Sequence, residues 1–161
     1  MFNKPVLAVL GLLGVVVTPT MAAAFSANEL VGTWRGSGTV YEAGVDDAQK
    51  VRCRMSGTTA GTNLTLRGKC STVRGKGDVV LKLKFSGSAI SGTWQTSGAK
   101  GLFNVSGELR GNGFQADLAP TNIRDHRGYL SISMKGKKRF VLIGRSKIEK
   151  GERSQITFKR K

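Results

Sequence analysis

Apolar and polar residues alternate one for one through most of this chain, and glycine clusters break the alternation at short intervals. Val79, Leu81, Leu83 and Phe85 fall on one face of an extended segment, with Lys82 and Lys84 on the other. Val51 to Met55 alternates apolar residues with arginine, and Leu64 and Leu66 oppose Thr65 and Arg67. The parity recurs in Ile90–Gly92–Trp94, Phe103–Val105–Gly107–Leu109, Phe114–Ala116–Leu118 and Leu130–Ile132–Met134. A period of two over this many segments argues for half-buried antiparallel strands.

The joints agree with that reading. Ser86-Gly87-Ser88, Ser97-Gly98-Ala99-Lys100-Gly101, Arg110-Gly111-Asn112-Gly113 and Lys135-Gly136-Lys137 are turn clusters. Their glycines reach positive φ without steric cost. Strands with such short connections form a meander, and closure of the meander removes its reactive edges. The expected fold is all-β: a small antiparallel up-and-down barrel, or a strongly curved meander sheet, of about eight to ten strands. One helical turn is expected near Ser26 to Leu30. The longest irregular stretches are Glu42 to Gln49, with Asp46 and Asp47, and Ala119 to Arg127, with Asp125 and His126. The basic end, Lys159-Arg160-Lys161, is expected to fray.

The first twenty-four residues have a different character. Lys4 precedes an apolar run from Val6 to Val17, and Ala22-Ala23-Ala24 supplies small residues. This is the layout of a secretory signal peptide, with cleavage expected after Ala24. The run is short for a bilayer span. The expectation is a leader over 1–24, one domain over 25–161 without a transmembrane segment, and a periplasmic or secreted location.

Export gives meaning to the two cysteines, Cys53 and Cys70. In an oxidising compartment such a pair usually forms one disulfide. The register can be argued. Gly61 in Ala60-Gly61-Thr62-Asn63 suits the first central position of a two-residue hairpin turn, which pairs Ala60 with Asn63. Counting back places Cys53 opposite Cys70 at a close, non-hydrogen-bonded position. A structural zinc site wants four cysteine or histidine ligands, and there is one histidine, so no metal and no cofactor is implied.

The formal net charge is +16. Such a field attracts anions: lipid head groups, acidic glycans, nucleic acid or acidic proteins. The hairpin register sets Arg54 against Lys69, with Arg67 nearby, and like charges opposed on a sheet are destabilising. With Arg52, and with Lys82 and Lys84 on the next strand, they form a candidate anion-binding stripe. The same stripe reads equally well as a solvated face whose long stems shield the sheet. From Lys135 onward there are eleven Lys or Arg and two acids. Lys135, Lys137, Lys138 and Arg139 form a turn able to dock phosphate or carboxylate. Aromatic interleaving is thin, so sequence-reading nucleic-acid recognition is not expected.

Catalysis finds little support. His126 stands between Asp125 and Arg127, neighbours whose side chains diverge, and a nucleophile needs a base in hydrogen-bond reach. The glycine-rich stretches do not link a strand to a helix, so a phosphate loop is excluded.

Leu30-Val31-Gly32-Thr33-Trp34 opens the domain with Gly-x-Trp on the first strand, and Ser91-Gly92-Thr93-Trp94 repeats it. A Gly-x-Trp first strand followed by a meander resembles the calycin-type barrels: lipocalins, avidins and small bacterial metalloprotease inhibitors. The resemblance implies that Trp34, and in its second copy Trp94, plugs the barrel. The inhibitor resemblance adds a short amino-terminal segment and one disulfide across early strands, matched in order by Ser26 to Glu29, Trp34 and Cys53–Cys70. It spans about the first third of the chain after residue 24, and places inhibition in Phe25 to Glu29.

The leading reading is therefore an exported, non-enzymatic binding protein for an anionic lipid, glycan or acidic protein, with peripheral contact to a membrane surface as one form of that binding. The alternatives are lipocalin-like carriage of a small apolar ligand, with Gly68, Gly92 and Gly107 leaving interior room, and secreted metalloprotease inhibition.

Overall fold

The computed structural model describes residues 25–44, 47–97, 101–121, 127–148 and 151–161. The expected leader over 1–24, Asp46, Asp125 and His126 lie outside these residues. The strands are β1 (Gly32–Tyr41), β2 (Gln49–Ala60), β3 (Asn63–Thr72), β4 (Gly75–Ser86), β5 (Ala89–Thr96), β6 (Gly101–Arg110), β7 (Gly113–Pro120), β8 (Gly128–Met134), β9 (Arg139–Ser146) and β10 (Arg153–Arg160). Each pairs antiparallel with its neighbours in sequence, and β1 pairs with β10, so the meander is a closed ten-stranded barrel.

Alternation decides which residues face inward. Burial along β2 follows the sequence pattern residue by residue, with Val51, Cys53 and Met55 inside and Arg52 and Arg54 outside. The interior holds Leu64, Leu66, Leu81, Leu83, Ile90, Val105, Leu130, Ile132 and their neighbours in one continuous core. Fully burying side chains of this size contributes about 1.5–3 kcal/mol each.

The expected hairpin register is the one observed. Ala60 pairs with Asn63 and Cys53 with Cys70. Gly61 has a φ of 58°, the positive value the turn requires. Cys53 and Cys70 form a disulfide with their Cα atoms 4.0 Å apart.

One end of the barrel, called here the floor, is sealed. Ser26 caps a short 3-10 helix, Ala27–Leu30, through a capping box with Glu29. Leu30 and Trp34 have no exposed surface, and the Trp34 indole N–H donates to the Leu30 carbonyl at 2.9 Å. Phe140 meets Trp34 edge-on at 4.8 Å between centroids and stacks on Phe158 at 4.6 Å. Phe25 packs within 6.3 Å of Phe85 and 6.1 Å of Phe114. The helical turn thus falls where the sequence placed it, and Trp34 is part of the floor.

Two expectations about local structure change. The basic end does not fray: Lys159 and Arg160 belong to β10, and the Lys161 N–H donates to the Thr33 carbonyl at 2.9 Å. Arg160 reaches the floor, where its guanidinium donates to the carbonyls of Val31 and Glu29 and lies over the Trp34 ring. Gly68, Gly92 and Gly107 do not leave ligand space. A Cβ at these positions would stand 2.1, 1.9 and 2.1 Å from the carbonyl oxygens of Arg54, Lys82 and Gln115 on the adjacent strands. They are glycine because a tightly coiled small barrel brings the neighbouring backbone into that volume.

Candidate functional site

Charge is divided sharply around the barrel. On β5 to β8 the only Lys or Arg is Arg110, which is paired with Glu108. Every strand from β9 through β10, β1, β2 and β3 to β4 carries outward cations. Among the strands, the basic character is therefore concentrated on one side of the barrel.

Within that face the register lines up a single row. Arg139 of β9 stands opposite Lys159 of β10. Lys159 stands opposite Arg35 of β1, Arg35 opposite Arg54 of β2, and Arg54 opposite Lys69 of β3. Five consecutive strands place a cation in directly opposed positions, and all five side chains are exposed. Lys69 then meets Asp78 of β4, with a Nζ–Oδ1 distance of 3.6 Å. Neighbouring strands lie about 4.8 Å apart, so the Cα atoms that carry these cations repeat at about that step.

The row is a ramp. Arg139 begins β9 and Lys159 stands near the end of β10, both at the floor, whereas Asp78 lies toward the opposite, loop-bearing end of β4. Hydrogen-bonded rows climb in this way because barrel strands tilt against the axis. At its foot the turn with Lys135, Lys137 and Lys138 joins the ramp: the Lys135 N–H donates to the Arg139 carbonyl at 2.8 Å, and the Arg160 N–H donates to the Lys138 carbonyl at 2.9 Å. Barrel closure thus unites the stripe on β2–β3 with the carboxy-terminal cluster. A groove of about 920 Å³ runs beside the ramp, with Arg35, Arg52, Arg54, Lys69, Lys76 and Lys159 among its walls.

The remaining sequence-selected cations occupy other levels. Arg67 faces Ser56 and Val80, one row closer to the floor than Lys69. Lys82 faces Thr65 and Lys84 faces Asn63, two and three rows from the ramp, or roughly 13 and 20 Å along the strand. They flank the ramp without continuing it. Sequence reasoning missed Arg35 and Lys159. Each adjoins a core aromatic, Trp34 or Phe158, and alternation from those residues marks both as outward.

The barrel interior offers a second feature. A cavity of about 170 Å³, lined by Val51, Met55, Cys70, Trp94, Leu142 and Ile156 among others, lies toward the loop-bearing end. Trp94, half-buried beside Leu81 and Phe103, stands on its wall, away from the floor that Trp34 seals. At the same end Gln49 donates to one Glu42 oxygen at 2.9 Å and Arg74 to the other at 2.6 Å. The hydrogen bond from Gln49, then the Arg74 guanidinium, hold the Glu42 carboxyl below the usual carboxylate range.

No family profile matches the chain, and no curated protein matches it in sequence. Its likeness is to solved barrels. It is similar to a redesigned β-barrel, mFAP1, bound to DFHBI, with a TM-score of 0.51 and 12% identity over 83% of this chain and 97% of that one. It is also similar to the S-type phycobiliprotein lyase CPES from Guillardia theta, with a TM-score of 0.57 and 13% identity over 84% of this chain and 90% of that one. At such identities the likeness is one of fold: a small antiparallel β-barrel.

Proposed function

We propose that this chain is an exported binding protein, not an enzyme, whose basic face captures an anionic component of the cell envelope or an acidic protein. The observation that carries the reading is the ramp. Five like charges in directly opposed register cost stability, whereas a bound anion turns each into a charge-assisted donor. The leader-like segment over 1–24 and the disulfide support export. The test is binding of the purified, oxidised protein to an immobilised acidic polymer across a salt series. Binding that falls steeply between low and high ionic strength supports the reading, and an affinity unchanged by salt sinks it.

Carriage of a small apolar molecule in the cavity beside Trp94 is the second reading. It is favoured by the apolar lining and by a barrel neighbour described with a bound small molecule. The cavity is smaller than the roughly 300–1,000 Å³ of ordinary ligand pockets, so the cargo would be small. Titration of Trp94 fluorescence with apolar ligands tests it. The Gly-Thr-Trp opening and floor tryptophan support a calycin-type lineage. Inhibition through Phe25 to Glu29 is weaker, since withdrawing that segment would expose Phe25 and Leu30.

A further inference from the structure

We infer that the ligand of the basic face is a linear, carboxylate-bearing polysaccharide laid along the ramp from Arg139 to Lys69. The inference rests on the anion-binding reading above and names its substrate class. Three features of the ramp select this chemistry.

The first is shape. The five cations occupy β9, β10, β1, β2 and β3, half of the ten strands, so the row winds about half-way round a convex wall while climbing from the floor. A planar membrane surface touches a convex wall along a narrow strip and reaches only a few of these positions together. A flexible chain can follow all of them.

The second is spacing. The Cα atoms that bear the cations step by about 4.8 Å, the strand separation, and the side chains fan outward from the convex wall, so neighbouring charges lie at least about one sugar ring apart. A polymer with one carboxylate per ring matches this spacing, whereas a polyphosphate places its charges closer together. The third is the bordering chemistry. Thr157, Ser37 and Ser71 border the ramp on one side, in a row that also carries Arg52 and Lys76, and Thr33 and Ser56 border it on the other, in a row that also carries Arg67. Hydroxyls suit ring hydroxyls. No aromatic side chain stands in the ramp row, so the stacking platform that single-stranded nucleic acid uses is missing from it.

The test measures binding of the full-length oxidised protein to a length series of oligouronates. A neutral oligosaccharide, polyphosphate, oligothymidylate and vesicles rich in anionic phospholipid are the comparison probes. Affinity should rise with each added uronate to about five units, one per cation of the ramp, and then level off. The neutral sugar should not bind. Arg35→Gln with Arg54→Gln should weaken the longest oligomer roughly tenfold or more. Arg35→Lys with Arg54→Lys should retain most of the affinity, which separates lost charge from lost fold. Arg110→Gln with Lys147→Gln, cations that pair with Glu108 of β6 and Asp117 of β7 away from the ramp, removes the same formal charge and should change binding less than twofold.

Length-independent affinity, or vesicles or polyphosphate bound through the ramp in preference to oligouronates, would overturn the inference while leaving anion binding in place. Equal losses in the ramp and control variants on every probe would overturn both.

Discussion

Arg35 and Lys159, on the first and last strands, stand directly opposite one another where the barrel closes. Arg54 flanks Arg35 on its other side, so Arg35 has a cation on either hand and no acid in its row until Asp78. Such an arrangement opposes folding. Arg35→Thr should therefore raise stability by about 0.2–1 kcal/mol at low salt, and the gain should vanish at high salt as the repulsion is screened. Urea unfolding at two ionic strengths checks this. A loss of stability at low salt would mean that Arg35 is held by favourable contacts instead.

The disulfide tethers β2 to β3 across a sequence separation of 17 residues. Replacing both cysteines by serine should lower stability by about 3 kcal/mol in the chain-entropy picture. Chemical denaturation of the variant against the oxidised parent measures the difference.

The floor depends on a few side chains that the barrel cannot replace. Leu30→Ala should cost about 2–5 kcal/mol because it opens a cavity under Trp34. Trp34→Phe leaves the Leu30 carbonyl without its 2.9 Å donor, and should cost about 1–3 kcal/mol. Thermal unfolding of each variant, with near-ultraviolet circular dichroism as the packing probe, tests the pair.

Gly68→Ala and Gly107→Ala separate strand coiling from ligand space. A methyl group would stand 2.1 Å from a neighbouring carbonyl oxygen at either site. Each should destabilise by about 1–3 kcal/mol or more, as overpacking does. Variants of unchanged stability but diminished apolar-ligand binding would restore these glycines to the lining of a ligand cavity.

Glu42 links the β1–β2 connection to the β3–β4 turn through Gln49 and Arg74. Its folded-state pKa lies below its unfolded value, so the contribution is fully present above the unfolded value and is lost as pH falls through the lowered one. Carboxyl NMR titration should show Glu42 ionising below the ordinary glutamate value, and Arg74→Gln should raise its pKa. A midpoint at or above the ordinary glutamate value would contradict the linkage.

How far the sequence could be read follows from what sets each register. The Cys53–Cys70 pairing was legible because one short turn around Gly61 fixes that hairpin, and alternation then carries the register back seven residues. The floor was legible in part, through Ser26, Glu29 and Trp34. The pairing of β1 with β10 was not. No turn joins them, and their register is the accumulated result of every hairpin between. Arg35 and Lys159 were therefore invisible as partners, and Arg54–Lys69 and the Lys135–Arg139 turn remained two patches instead of one. The inward glycines misled for a related reason. A missing side chain reads as space in one dimension, whereas in a coiled sheet the adjacent strand fills it.

The central claim is that the ramp binds anions by charge. It is tested most directly by the salt dependence of affinity for an acidic polymer, measured for the parent and for Arg35→Gln with Arg54→Gln. The parent should lose affinity linearly on logarithmic axes, and the double variant should give a shallower slope by roughly 0.7 for each lost contact. Parallel slopes for the two proteins, or an affinity that salt does not change, would contradict it.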